Sequence, residues 1–60
     1  MNKIPLGAKV KIDARKSPQW PFERLVDTGI ILDNTQKSYL VQLDARRENL
    51  MLLRKELHLI

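Results

Sequence analysis

The sequence predicts an all-β domain: five short strands curled into a small barrel, with one helical turn before the last strand. Three observations carry this expectation. The stretch from Asp27 to Asp44 reads as a β-hairpin, residues 8–13 alternate strictly between polar and apolar, and the last sixteen residues have to cover the edges that three strands leave open. The competing arrangement is a three-stranded antiparallel sheet with a C-terminal helix.

The hairpin is the organising element. Two runs rich in β-branched and aromatic residues, Ile30-Ile31-Leu32 and Ser38-Tyr39-Leu40-Val41, flank the polar tetrad Asn34-Thr35-Gln36-Lys37. Gly29 stands at the start of the first run, where a close approach of backbone in a curved sheet would leave no room for a side chain. Tyr39, Val41 and Leu43 alternate with Ser38, Leu40 and Gln42, so the first set is expected to face the core. Three consecutive aliphatic residues at 30–32, with Leu40 beside them, place apolar surface on both faces of the ribbon. Two copies pairing through Ile30, Leu32, Leu40 and Met51 or Leu53 would cover the outer one, giving a homodimer; a loop or the C-terminal segment is the alternative cover.

Residues 1–6 read as an N-terminal arm and residues 7–60 as the domain, since Pro5 enforces an extended approach and Gly7 releases the chain into the first strand. In residues 8–13, Val10 and Ile12 share one face, while Lys9, Lys11 and Asp13 share the other. The two lysines serve as phosphate contacts or protect an edge from aggregation. Residues 14–24 hold two prolines, Trp20, Phe22 and the basic Arg15, Lys16 and Arg24, and are expected to form a stiffened loop. Either the loop presents its aromatics to a partner, or one of them folds back as a lid over the core.

Residues 45–60 have good helix formers, with Leu50, Leu53 and Leu57 on one helical face. In the strand reading, residues 45–48 are a polar turn, 49–54 a fourth strand, 55–57 a helical turn and 58–60 a closing strand. The strands are preferred because five of them can close a barrel.

Sixty residues allow one domain, and at that size folding buries only about 60% of the unfolded chain's surface. The absence of Cys removes disulfides, thiolate metal sites and thiol nucleophiles. The N-terminal segment has neither a signal-like apolar run nor a membrane span, so a cytoplasmic protein without membrane association is expected. Eleven Lys and Arg against seven Asp and Glu give a net charge of +4 and a pI near 9.9, which suits polyanionic partners and is also compatible with simple solubility.

The order Gly7-x-x-Val10, a loop with Trp20, Gly29-Ile30-Ile31, Ser38-Tyr39-Leu40-Val41 and Leu57-His58-Leu59-Ile60 resembles that of small SH3-like or Tudor-like barrels. Within that set it is similar to the C-terminal DNA-binding domains of retroviral and retrotransposon integrases. The resemblance implies an SH3-like barrel and nucleic-acid contacts at Lys9, Lys11, Arg15, Lys16, Trp20, Arg46 and Arg47. Leu50-Met51-Leu52-Leu53 departs from it, being more apolar than an exposed DNA-binding hairpin. The barrel also resembles small photosynthetic accessory proteins and the plasmid-encoded type II dihydrofolate reductase, the latter implying an oligomeric pore.

The chain shows no nucleophile–base pair, metal cluster or Gly-rich phosphate loop: His58 is the one His, Gly7 and Gly29 are far apart, and Asp27, Asp33 and Asp44 sit where turns and strand ends use them. No enzyme activity and no cofactor are expected. The candidate binding surface joins Arg15, Lys16 and Arg24 around Trp20 and Phe22, with Arg46 and Arg47 from the neighbouring hairpin. DNA or RNA is the first-choice partner, held by backbone charge and aromatic stacking. The alternative is an acidic protein docked on the Trp20-Pro21-Phe22 loop.

Overall fold

A computed structural model describes residues 3–16, Pro18 and residues 23–60. The strands are β1 (Lys9–Arg15), β2 (Arg24–Asn34), β3 (Ser38–Leu43), β4 (Asn49–Leu53) and β5 (Leu57–Leu59), with a 3₁₀ turn at Arg54–Glu56. All pairings are antiparallel and form one sheet in the order β4-β3-β2-β1-β5. The expected all-β class, five strands and helical turn before the last one are all present. Helix propensity in the C-terminal third yields to packing, because Leu52 and Leu57 are 1% exposed as parts of β4 and β5.

The core lies on one face of this single sheet. Val10, Ile12 and Ala14 of β1, Leu25 and Ile31 of β2, and Tyr39, Val41 and Leu43 of β3 are all buried. A flat sheet would leave that face in water; Val10 and Val41 reach 0% exposure with no second sheet or α-helix among the described residues to cover them, so the sheet must curl over its own face. Two features of β2 support the curl. The register shifts between Ile31 and Asp33, inserting Leu32 as a bulge that bends the strand. Gly29 lies opposite both Val10 and Leu43, and a Cβ there would sit 2.6 Å from the Gln42 carbonyl oxygen and 2.7 Å from Val41 Cγ1.

The curled sheet does not close on itself: β4 and β5 are its edges. The ladder from β1 to β5 spans Val10, Lys11 and Ile12 and stops there, so residues 13–15 extend past it. The 3₁₀ turn bridges the two edges, held by the Glu56 carboxylate accepting the Leu53 N–H at 2.9 Å.

Several boundaries differ from the sequence reading; at the C-terminal end β4 stops at Leu53 rather than 54, the 3₁₀ turn is Arg54–Glu56 rather than 55–57, and β5 is Leu57–Leu59 rather than 58–60. Ala14, Arg15 and Arg24 belong to strands rather than to the loop, because the β1–β2 ladder continues through Ala14↔Leu25 to Arg15↔Arg24 and buries Ala14. The N-terminal arm contributes to the core: Ile4 is 1% exposed and its N–H donates to the Tyr39 hydroxyl at 3.2 Å. Gly7, at φ 83°, turns the chain so that its N–H reaches the Ile31 carbonyl.

Candidate functional site

The unclosed seam forms a groove of about 760 Å³. Asp13, Arg15 and Lys16 come to it from the end of β1, Lys37 from the β2–β3 turn, and Lys55 and Glu56 from the 3₁₀ turn, while Met51 and Leu53 of β4 supply its apolar part. The β3–β4 register explains this meeting. Gln42 pairs with Asn49 across the turn of residues 44–48, so Ser38 pairs with Leu53, which places Lys37 beside the 3₁₀ turn.

The groove's electrostatics follow from how its carboxylates are engaged. Asp13 accepts two hydrogen bonds from Arg24, at Nε and Nη2, both 2.8 Å. Those hydrogen bonds, aided by the guanidinium charge, hold the Asp13 carboxyl below its ordinary pKa and raise that of Arg24. This pairing also relieves the like-charge juxtaposition of Arg15 and Arg24, which face each other across the ladder. Glu56 is occupied by the Leu53 amide. Lys16 approaches Glu23 at 3.6 Å, a solvent-exposed pair that contributes little. Arg15, Lys16, Lys37 and Lys55 therefore leave the groove net positive.

The predicted site residues fall into separate places. Arg15 and Lys16 line the groove, whereas Arg24 is engaged by Asp13. Lys9 and Lys11 lie on the outer face of β1; Lys9 pairs with Asp44 at 3.6 Å, and Lys11 lies between Thr28 and the exposed His58. Arg46 and Arg47 are exposed on the turn of residues 44–48, at the end of the β3–β4 ribbon away from the groove. Trp20 and Phe22, and with them the Trp20-Pro21-Phe22 loop, lie outside the described residues. Of the aliphatic residues considered for pairing, Ile30, Leu32 and Leu53 are 37–44% exposed, and Leu40 lies opposite Met51.

Lys37 and Lys55 were not among the sequence candidates. The register that brings both lysines to one end, Ser38 opposite Leu53, is set across the turn of residues 44–48, one residue longer than the polar turn expected from the sequence. A second cavity, of about 510 Å³, lies against the β2–β3 turn and shares Lys37 with the groove; Lys3 and Arg54 are among its other lining residues.

Among the described residues, no group of three or more His, Cys, Asp or Glu is placed to hold a metal ion. No helix among them is long and apolar enough to cross a membrane. Asp27 and Asp33 each accept the N–H of the following residue, and Asp44 accepts the Thr28 hydroxyl, so these carboxylates serve the backbone locally. Compared with protein-family models, curated proteins and solved structures, the chain matches none of them.

Proposed function

We propose that the chain is a non-catalytic nucleic-acid-binding module that holds a phosphate backbone in the seam groove through Arg15, Lys16, Lys37 and Lys55. The observation that carries this reading is the convergence of those four cations from three separate segments onto one concave surface whose carboxylates are already engaged. A concave, positively charged channel concentrates a polyanion more strongly than the same charges on a convex surface. Met51 and Leu53 offer apolar contact to sugars and bases. The resemblance to integrase C-terminal domains points in the same direction.

The test is a fluorescence titration of Trp20, the single Trp, with short single- and double-stranded oligonucleotides at low and moderate salt. Saturable binding that weakens with salt is the expected result. Binding to an acidic polypeptide but to neither oligonucleotide would replace this reading with a protein-docking one.

A further inference from the structure

We infer that the cavity at the β2–β3 turn is a separate binding site for a phosphate group. Three cations meet there from three parts of the chain: Lys3 from the N-terminal segment, Lys37 from the turn and Arg54 from the 3₁₀ turn. No Asp or Glu is among its described lining residues. Asp33, the nearest carboxylate in sequence, accepts the Asn34 N–H at 2.8 Å. Gathering like charges in a 60-residue domain opposes its folding, and a bound dianion would relieve that repulsion.

The cations are mounted on fixed supports. Lys3 precedes Ile4, which is buried in the core and donates its N–H to the Tyr39 hydroxyl. Arg54 Nη1 donates to the Leu57 carbonyl at 2.9 Å, which orients the guanidinium. The turn is closed by Thr35: its N–H reaches the Ser38 carbonyl at 2.8 Å, and its Oγ1 accepts the Ser38 N–H at 3.0 Å and the Lys37 N–H at 3.3 Å. A ligand entering the site therefore orders little that is not already ordered.

The remaining chemistry favours an oxyanion. Asn34 and Gln36 bring amide donors to the lining, and Tyr39, whose oxygen accepts from Ile4, keeps its O–H as a donor. Three cations match a phosphate monoester, which carries about −1.5 to −2 charges at neutral pH, better than a carboxylate carrying one. The phosphate belongs either to a phosphorylated small molecule or to the end of a polynucleotide. In the second case the inference rests on the proposed function, with Lys37 as the link between groove and cavity.

The test is an amide-resolved NMR titration of the full chain, of Lys3→Gln and of Lys55→Gln, first with inorganic phosphate and then with 5′-phosphorylated and 5′-hydroxyl oligonucleotides. Phosphate is expected to produce saturable shifts at Lys3, residues 34–37 and Arg54. Its affinity should fall at least about fivefold in Lys3→Gln and stay within about twofold in Lys55→Gln. Tighter binding of the 5′-phosphorylated strand assigns the phosphate to a polynucleotide end; equal binding of both strands, or of neither, alongside the phosphate response assigns it to a small molecule. A phosphate response that persists while all oligonucleotide binding is absent sustains this site and removes the groove reading. The inference is overturned if no saturable shift appears up to roughly 20 mM phosphate, or if shifts spread over every lysine and Lys3→Gln leaves them unchanged.

Discussion

At one end of the β3–β4 ribbon, Lys37 and Lys55 share a concave groove with Arg15 and Lys16; at the other, Arg46 and Arg47 stand on the exposed turn of residues 44–48. Both ends are basic, and each has a carboxylate held by neighbours, Asp13 by Arg24 at the first and Asp44 by Thr28 and Lys9 at the second. What separates them is shape. The groove has walls from edge strand β4 and from the part of β1 beyond the β5 ladder, with an apolar part from Met51 and Leu53, whereas Arg46 and Arg47 line neither cavity. A pair of adjacent arginines is conspicuous in a sequence, but field strength depends on whether low-dielectric walls confine it.

The change that should disturb both ends together is Gly29→Ala, since the new methyl would meet the Gln42 carbonyl oxygen and Val41 Cγ1 well inside contact distance. A loss of about 1–3 kcal/mol is expected, read as a fall in the thermal midpoint by circular dichroism. A variant as stable as the parent would show that the sheet relaxes there freely.

Neutralising Arg15, Lys16, Lys37 and Lys55 to Gln should weaken oligonucleotide binding by about 100-fold at low salt while leaving the thermal midpoint nearly unchanged. The matching change at the other end, Arg46→Gln with Arg47→Gln, should weaken it no more than about threefold. Equal losses from the two variants would dissolve the distinction between the ends.

A smaller effect concerns Asp13. Its carboxyl is held below the ordinary pKa, chiefly by its hydrogen bonds from Arg24, so it favours the folded state at neutral pH and loses that contribution as the pH falls through its folded-state value. Thermal melts of the parent and of Asp13→Asn should therefore differ most near neutrality and converge in acid. A gap that widens on acidification would reverse the assignment.

Much of this arrangement was legible because short-range patterns decide it. Strict alternation placed Val10 and Ile12 inside, as it did Tyr39, Val41 and Leu43, and the crowding anticipated at Gly29 is what its surroundings impose. What sequence reading missed depends on distant partners. Nothing local marks Ile4 as core, since it joins a cluster of distant strand residues and its N–H is held by the Tyr39 hydroxyl, thirty-five positions away. The prolines around Trp20 drew residues 14–24 together as a loop, yet Ala14 and Arg24 are strand residues because the cross-strand ladder runs to Arg15↔Arg24. The groove itself followed from an unclosed seam, whereas the sequence argument anticipated closure, which would have left no such gap between β1 and β4.

The most direct test of the central claim is the salt dependence of single-stranded oligonucleotide affinity, measured for the parent chain and for the variant with Lys37→Gln and Lys55→Gln. Each phosphate contact contributes about −0.7 to the slope of log affinity against log salt. Four seam cations imply a parent slope near −3 that becomes shallower by about 1.4 in the double variant. An unchanged slope would contradict it, because the phosphates would then be held somewhere other than the seam.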